Sequence, residues 1–202
     1  MSAIARFRRA GLVAGLLSLV PAVAFAHPGH GGAAGHDFLH GFMHPMHGMD
    51  HFLAMVAVGL WAAQRDRRSV WALPIAFVGF MAVGFVLGAG GVAMPAVELG
   101  IAASVLVLGI AVALAARIPT VGAVALVALF ALFHGHAHGA ELPAGMAASL
   151  FGAGFATSTA LLHGAGIALA VGLRHSVMAR SVGIERAIGA GIAAAGLALL
   201  LV

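Results

Sequence analysis

The stretch from Thr120 to Glu141, TVGAVALVALFALFHGHAHGAE, is almost wholly apolar as far as Phe133 and then sets down His134, His136, His138 and Glu141. A helix that crosses a bilayer needs about 20 apolar residues. Ionisable side chains within such a helix cost about 3 kcal/mol each, so their presence points to function by default. The rest of the chain matches this stretch. Hydrophobic residues make up 62% and charged residues only 8%, with a mean hydropathy of +1.10. A soluble domain needs far more polar surface. The ten Lys+Arg are all Arg, three of them in the first nine residues, so the high pI reflects a few arginines rather than a nucleic-acid-binding surface. Without Cys there are no disulfides and no thiolate metal sites, whereas His occurs twelve times.

Working outward from 119–138, six segments qualify as spans: about 40–64, 70–90, 95–116, 119–138, 145–173 and 184–202. Arg65, Arg67 and Arg68 lie in the first break, Arg117 in the third, and Arg174, Arg180 and Arg186 around the fifth. The second break, Gly90–Met94, and the fourth, Gly139–Pro143, hold none. Alternation of this kind predicts a multi-pass inner-membrane protein with the basic loops in the cytoplasm and both mature ends in the periplasm. Gly84/Gly88 and Gly135/Gly139 are small-xxx-small pairs of the kind that let helix backbones approach in lipid, so the expected fold is a compact all-α bundle of six transmembrane helices. Spans 1 and 4 both carry His and run in opposite directions, a weak hint of an inverted repeat.

The N-terminus reads as a cleavable signal peptide over 1–26. Arg6, Arg8 and Arg9 form the basic region, an apolar run follows, and Ala24-Phe25-Ala26 offers an A-x-A cleavage site. A retained first helix is the alternative. Cleavage would leave a periplasmic His-rich segment, 27–39, ahead of the permease domain at 40–202. In that segment His27, His30, His36 and Asp37 are candidates for a loose metal antenna, or simply a solvated tail.

In span 1, at about 100° per residue, His40, His44, His47 and His51 fall in a stripe about 60° wide, with Asp50 beside it. Imidazoles one and two turns apart can grip a metal, and a neighbouring carboxylate offsets its charge. Pro45 either frees the Gly41 carbonyl or opens the helix. In span 4, His134, His138 and Glu141 share a face and His136 points away. The alternation of the loops puts both clusters at the periplasmic ends of their spans, at one depth.

His44-Pro45-Met46-His47-Gly48-Met49-Asp50-His51 resembles the HX5DH signature of the HupE/UreJ family of nickel permeases. Phe133-His134-Gly135-His136-Ala137-His138-Gly139-Ala140-Glu141 resembles its FHGxAHGxE signature. The resemblance implies uptake of nickel for hydrogenase or urease maturation. It also implies functional roles for His44, Asp50, His51, His134, His138 and Glu141. His47 and His136 stand at variable positions of those motifs and inherit no role.

Weaker candidates lie along the path. His163 in span 5 is a relay ligand or a buried hydrogen-bonded histidine, and Glu98 at the start of span 3 serves a cation funnel or the helix N-terminus. Imidazole suits Ni²⁺, with Co²⁺ and Zn²⁺ close behind, whereas Mg²⁺ and Ca²⁺ prefer oxygen. The ion is cargo. No organic cofactor and no nucleic-acid partner are expected, and no P-loop supplies ATP-driven transport. The expected contacts are the metal and lipid, with an indirect link to nickel-enzyme maturation; a homo-oligomer is compatible with the sequence. Two other classes compete. An intramembrane zinc hydrolase would need one tight three-ligand site with an open position. A di-haem cytochrome would need axial His pairs about four turns apart, which these spacings do not supply.

Overall fold

Gly48 divides the first apolar stretch in two. The computed structural model describes residues 33–177 and 180–202, with α1 over Ala33–His47 and α2 over Met49–Ala63. Gly48 between them is extended, at φ −96° and ψ 114°. Its carbonyl accepts the Phe52 amide at 2.9 Å, the first helical bond of α2. Pro45 lies in the last turn of α1, so the placement in which it opens the helix is not adopted. Among the described residues the chain is already helical at Ala33, ahead of the expected boundary at residue 40. The proposed signal peptide and His27 and His30 lie outside the described residues.

The other boundaries fall close to expectation. The helices are α3, Ser69–Ala89; α4, Val97–Ala113; α5, Thr120–Ala140; α6, Ala148–Val177; and α7, Ser181–Leu200. Of these, α3, α5, α6 and α7 are long and apolar enough to cross a membrane, while α2 and α4 are shorter apolar helices. Among the described residues there is no strand. Positive-φ glycines help turn the chain at Gly91, after α3, and at Gly145, before α6.

Packing follows the small residues. A side chain added at Gly84 or Gly88 would strike the carbonyls of Leu132 and His136, and one at Gly135 or Gly139 those of Met81 and Phe85. The two expected glycine pairs therefore face each other across α3 and α5, and backbone meets backbone. Gly41 and Gly154 join α1 to α6 in the same way, and Gly59 and Gly166 join α2 to α6. Apolar on nearly every side, α2 is the central helix, with Met55, Leu60 and Trp61 fully buried. Trp71, Ile75, Val86 and Val121 project outward, as side chains meeting lipid do.

Arginines tie the opposite end together. Arg65 donates to the carbonyls of Ala116 and Ile118, Arg174 to that of Ala63, and Arg186 to that of Ala113. The ends of α2, α4 and α6 thus share one basic face. There the Ser69 amide binds Asp66 Oδ1 at 2.8 Å and holds that carboxyl below the usual range. The histidines of α1, α2 and α5 gather at the other end.

Candidate metal centre

Three chain segments build the centre: the α1–α2 joint, the last turns of α5, and the first half of α6. Asp37 secures the outer part, because its Oδ2 accepts the Ala147 amide at 3.0 Å ahead of α6. His44 at the end of α1 then faces α5. One ligand atom from each of His44, His138 and Glu141 lies within 4.8 Å of the others, and His44 Nε2 is 3.8 Å from Glu141 Oε2. Glu141 is exposed, His44 half-buried and His138 buried, so exposure falls across the trio from Glu141 to His138.

His138 leads inward. Its ring centroid is 4.7 Å from that of His44 and 4.3 Å from that of His51 at the start of α2. His51 in turn lies 4.6 Å from His134, whose ring is fully buried. Asp50 Oδ1 accepts a hydrogen bond from His51 Nδ1 at 2.8 Å, which in the neutral ring leaves the lone pair on Nε2. Phe151 and Phe155 flank these rings, with Phe155 4.0 Å from His138 and Phe151 5.5 Å from His44.

Burial leaves these donors unpaired. His51 Nε2, His134 Nδ1 and both ring nitrogens of His138 have no hydrogen-bond partner among the described residues. An unsatisfied buried polar atom costs about 1–3 kcal/mol. Several side by side make sense as a cradle for something electrophilic rather than as a structural network. Ligand atoms converge within 4.8 Å at His44, His138 and Glu141, while His51 and His134 stand behind them as neighbouring rings; imidazole with carboxylate is a donor set that suits a borderline divalent transition metal.

The profile of the HupE / UreJ protein family matches residues 15–199. The chain belongs to this family. Over 182 residues it is 46% identical to Protein HupE of Rhizobium leguminosarum bv. viciae, a match covering 90% of this chain and 92% of that protein. No solved structure matches. Membership together with four helices of crossing length makes the protein a multi-pass membrane protein.

The remaining candidates of this HupE/UreJ chain sort by position. His47 ends α1, and the break at Gly48 takes it out of register with His51 in α2. It is exposed and bonds the Met43 carbonyl at 2.8 Å. His40 lies further out, 6.1 Å from His44, with Nδ1 3.3 Å from Met146 Sδ. His36 is exposed beyond it. His136 points away from the cluster, as its angle requires, and its Nε2 bonds the Val92 carbonyl at 2.6 Å. His163 is buried behind Phe77, whose ring is 5.0 Å from it and 5.6 Å from His134. Glu98 is exposed in the first turn of α4.

Several partners escaped the sequence reading. Ser104 Oγ lies 2.8 Å from His134 Nε2, and its signal in the sequence is that it is the lone hydroxyl of its helix, apolar beyond Glu98 in the first turn. Thr159 donates toward the sulfurs of Met55 and Met81 at 3.4 and 3.5 Å. At the basic end Glu185 is buried against Arg174 and Gln64. A carboxylate inside an apolar span was the signal for it.

Proposed function

We propose that this protein is a secondary transporter that carries a divalent transition-metal ion, Ni²⁺ first and Co²⁺ or Zn²⁺ next, from periplasm to cytoplasm. On this reading it supplies the maturation of a hydrogenase or urease. It crosses the bacterial inner membrane six times. The pair α1–α2 makes the first crossing, the arginine end faces the cytoplasm, and both mature ends face the periplasm. One observation carries the reading. Unpaired imidazole nitrogens of His138, His51 and His134 form a continuous buried row behind the exposed Glu141.

On this reading Glu141 and His44 capture a partly dehydrated ion and His138 passes it to His51 and His134. Asp50 offsets part of its charge through His51. Beyond Phe77, His163 offers the next donors. Glu98 draws cations toward Glu141, and His27 and His30 are candidates for a loose metal antenna. The inside-negative potential contributes about 2.3 kcal/mol per charge per 100 mV. Many weak neighbouring donors, rather than one tight cage, allow the ion to leave.

The test is uptake of radiolabelled nickel by cells expressing the protein, with cobalt and zinc as competitors. Asp50→Ala is expected to lose most uptake at unchanged protein level. Uptake equal to that of wild type in this variant would remove Asp50 from the path.

A further inference from the structure

Ser104 lies in the middle of α4, fully buried, facing the deepest histidine of the row. Its hydroxyl has two close neighbours. Oγ is 2.6 Å from the Ile101 carbonyl oxygen and 2.8 Å from His134 Nε2. Two oxygens that close repel unless a hydrogen lies between them, so the single hydroxyl proton points at Ile101. Oγ is then left with lone pairs only, and the hydrogen in the contact with His134 must come from Nε2. A neutral imidazole carries one N–H, so Nδ1 of His134 bears the lone pair. That nitrogen is the one buried without a partner.

We propose that Ser104 is a positioning residue that locks His134 in its Nε2-protonated form and so presents Nδ1 to the passing cation. The inference rests on the proposed transport role for its functional meaning, but the lock itself exists in the metal-free protein. Ser104 does not need His134. A serine inside an apolar helix commonly satisfies itself on a carbonyl of its own preceding turn, as Ser104 does on Ile101. The contact to His134 is an addition that serves the histidine.

His51 supplies the counterpart. There Asp50 accepts the hydrogen bond from Nδ1, which in the neutral ring leaves Nε2 bare, whereas Ser104 accepts the hydrogen bond from Nε2 of His134 and leaves Nδ1 bare. The two rings stand at 89° with centroids 4.6 Å apart. Opposite nitrogens thus serve as donors on two neighbouring histidines, each set by a residue outside the row. Partners of this kind fix ring orientation and ligand basicity, and losing one typically costs 10- to 100-fold in metal affinity.

Nitrogen-15 NMR of histidine-labelled, metal-free protein in nanodiscs reads the lock directly. The His134 signals are identified by their loss in His134→Gln. In wild type they are expected to show a protonated Nε2 and a bare Nδ1. A protonated Nδ1 in wild type overturns the proposal, whatever becomes of any variant. In Ser104→Ala the Nε2-protonated form is expected to give way to a mixture, and Ser104→Thr is expected to restore it. A His134 spectrum unchanged by Ser104→Ala overturns it as well. In nickel uptake, Ser104→Ala should raise the half-saturation concentration about tenfold, with Ser104→Thr near wild type. If wild type itself takes up no nickel, the transport reading fails while the NMR result still decides the lock.

Discussion

The His44 ring at the end of α1 meets the His138 ring of α5 at a centroid distance of 4.7 Å, in an edge-to-face arrangement. His138 meets His51 on its other side at 4.3 Å. One residue therefore belongs both to the trio with His44 and Glu141 and to the buried row. Its removal should interrupt the path, whereas removal of Glu141 should weaken capture alone. His138→Ala is expected to lower the maximal rate of nickel uptake at least tenfold. Glu141→Gln is expected to raise the half-saturation concentration and leave the maximal rate close to wild type. Initial-rate uptake curves over a range of nickel concentrations separate the two. The same pair addresses the hydrolase alternative, in which Glu141→Gln abolishes turnover instead of shifting affinity.

Backbone contact between α3 and α5 leaves no room for a methyl group. A Cβ at Gly135 would collide with the Met81 carbonyl, which is backbone and cannot swing aside, whereas one at Gly164 meets nothing within 4 Å. Gly135→Ala should destabilise the bundle by about 1–3 kcal/mol. Gly164→Ala should be neutral or slightly stabilising, because alanine favours the helix. Thermal unfolding in detergent compares them.

These glycines show what a sequence makes legible. Their four-residue spacing predicts close approach, and α3 and α5 use both pairs as expected. Helix boundaries are legible because apolar runs end where polar and turn-forming residues begin. The meeting of the two histidine motifs is legible because alternating loop charge predicts opposite directions for the helices that carry them. His136 is legible from its helical angle. The break at Gly48 is not, because glycine is tolerated within helices. The two halves are seated by tertiary contacts: Gly41 packs on Phe151 of α6, and Gly59 on His163 of the same helix. A continuous stripe therefore placed His47 beside His51 when it faces outward. Ser104 and Glu185 likewise acquire their roles only from residues distant in the chain.

At the basic end, Arg174 Nε and Nη2 donate to the two oxygens of Glu185 at 3.1 and 3.2 Å, and Gln64 Nε2 adds a third bond at 3.1 Å. Glu185 is buried, so removing Arg174 strands a carboxylate in an apolar setting. Arg174→Ala is expected to cost about 3 kcal/mol, and Glu185→Gln less, since a neutral amide has no charge to desolvate. Adding Glu185→Gln to Arg174→Ala should recover part of the loss. A double-mutant cycle by thermal unfolding checks the sign, and strictly additive losses would show that the two side chains act independently.

Gly48 is where the break and the chemistry meet. Its backbone lies at φ −96°, open to any L-residue, so alanine there brings no backbone strain. The added Cβ would, however, stand 2.7 Å from Asp50 Oδ1 and 3.2 Å from His51 Nδ1. The carboxylate is the far end of a flexible side chain and will yield, taking with it the bond that orients His51. Gly48→Ala should therefore keep wild-type thermal stability to within about 0.5 kcal/mol, the ordinary range for a harmless substitution. Its half-saturation concentration for nickel should still rise several-fold. Stability and uptake falling together would place the effect in the joint itself; uptake unchanged would mean that the Asp50–His51 contact does not govern the path.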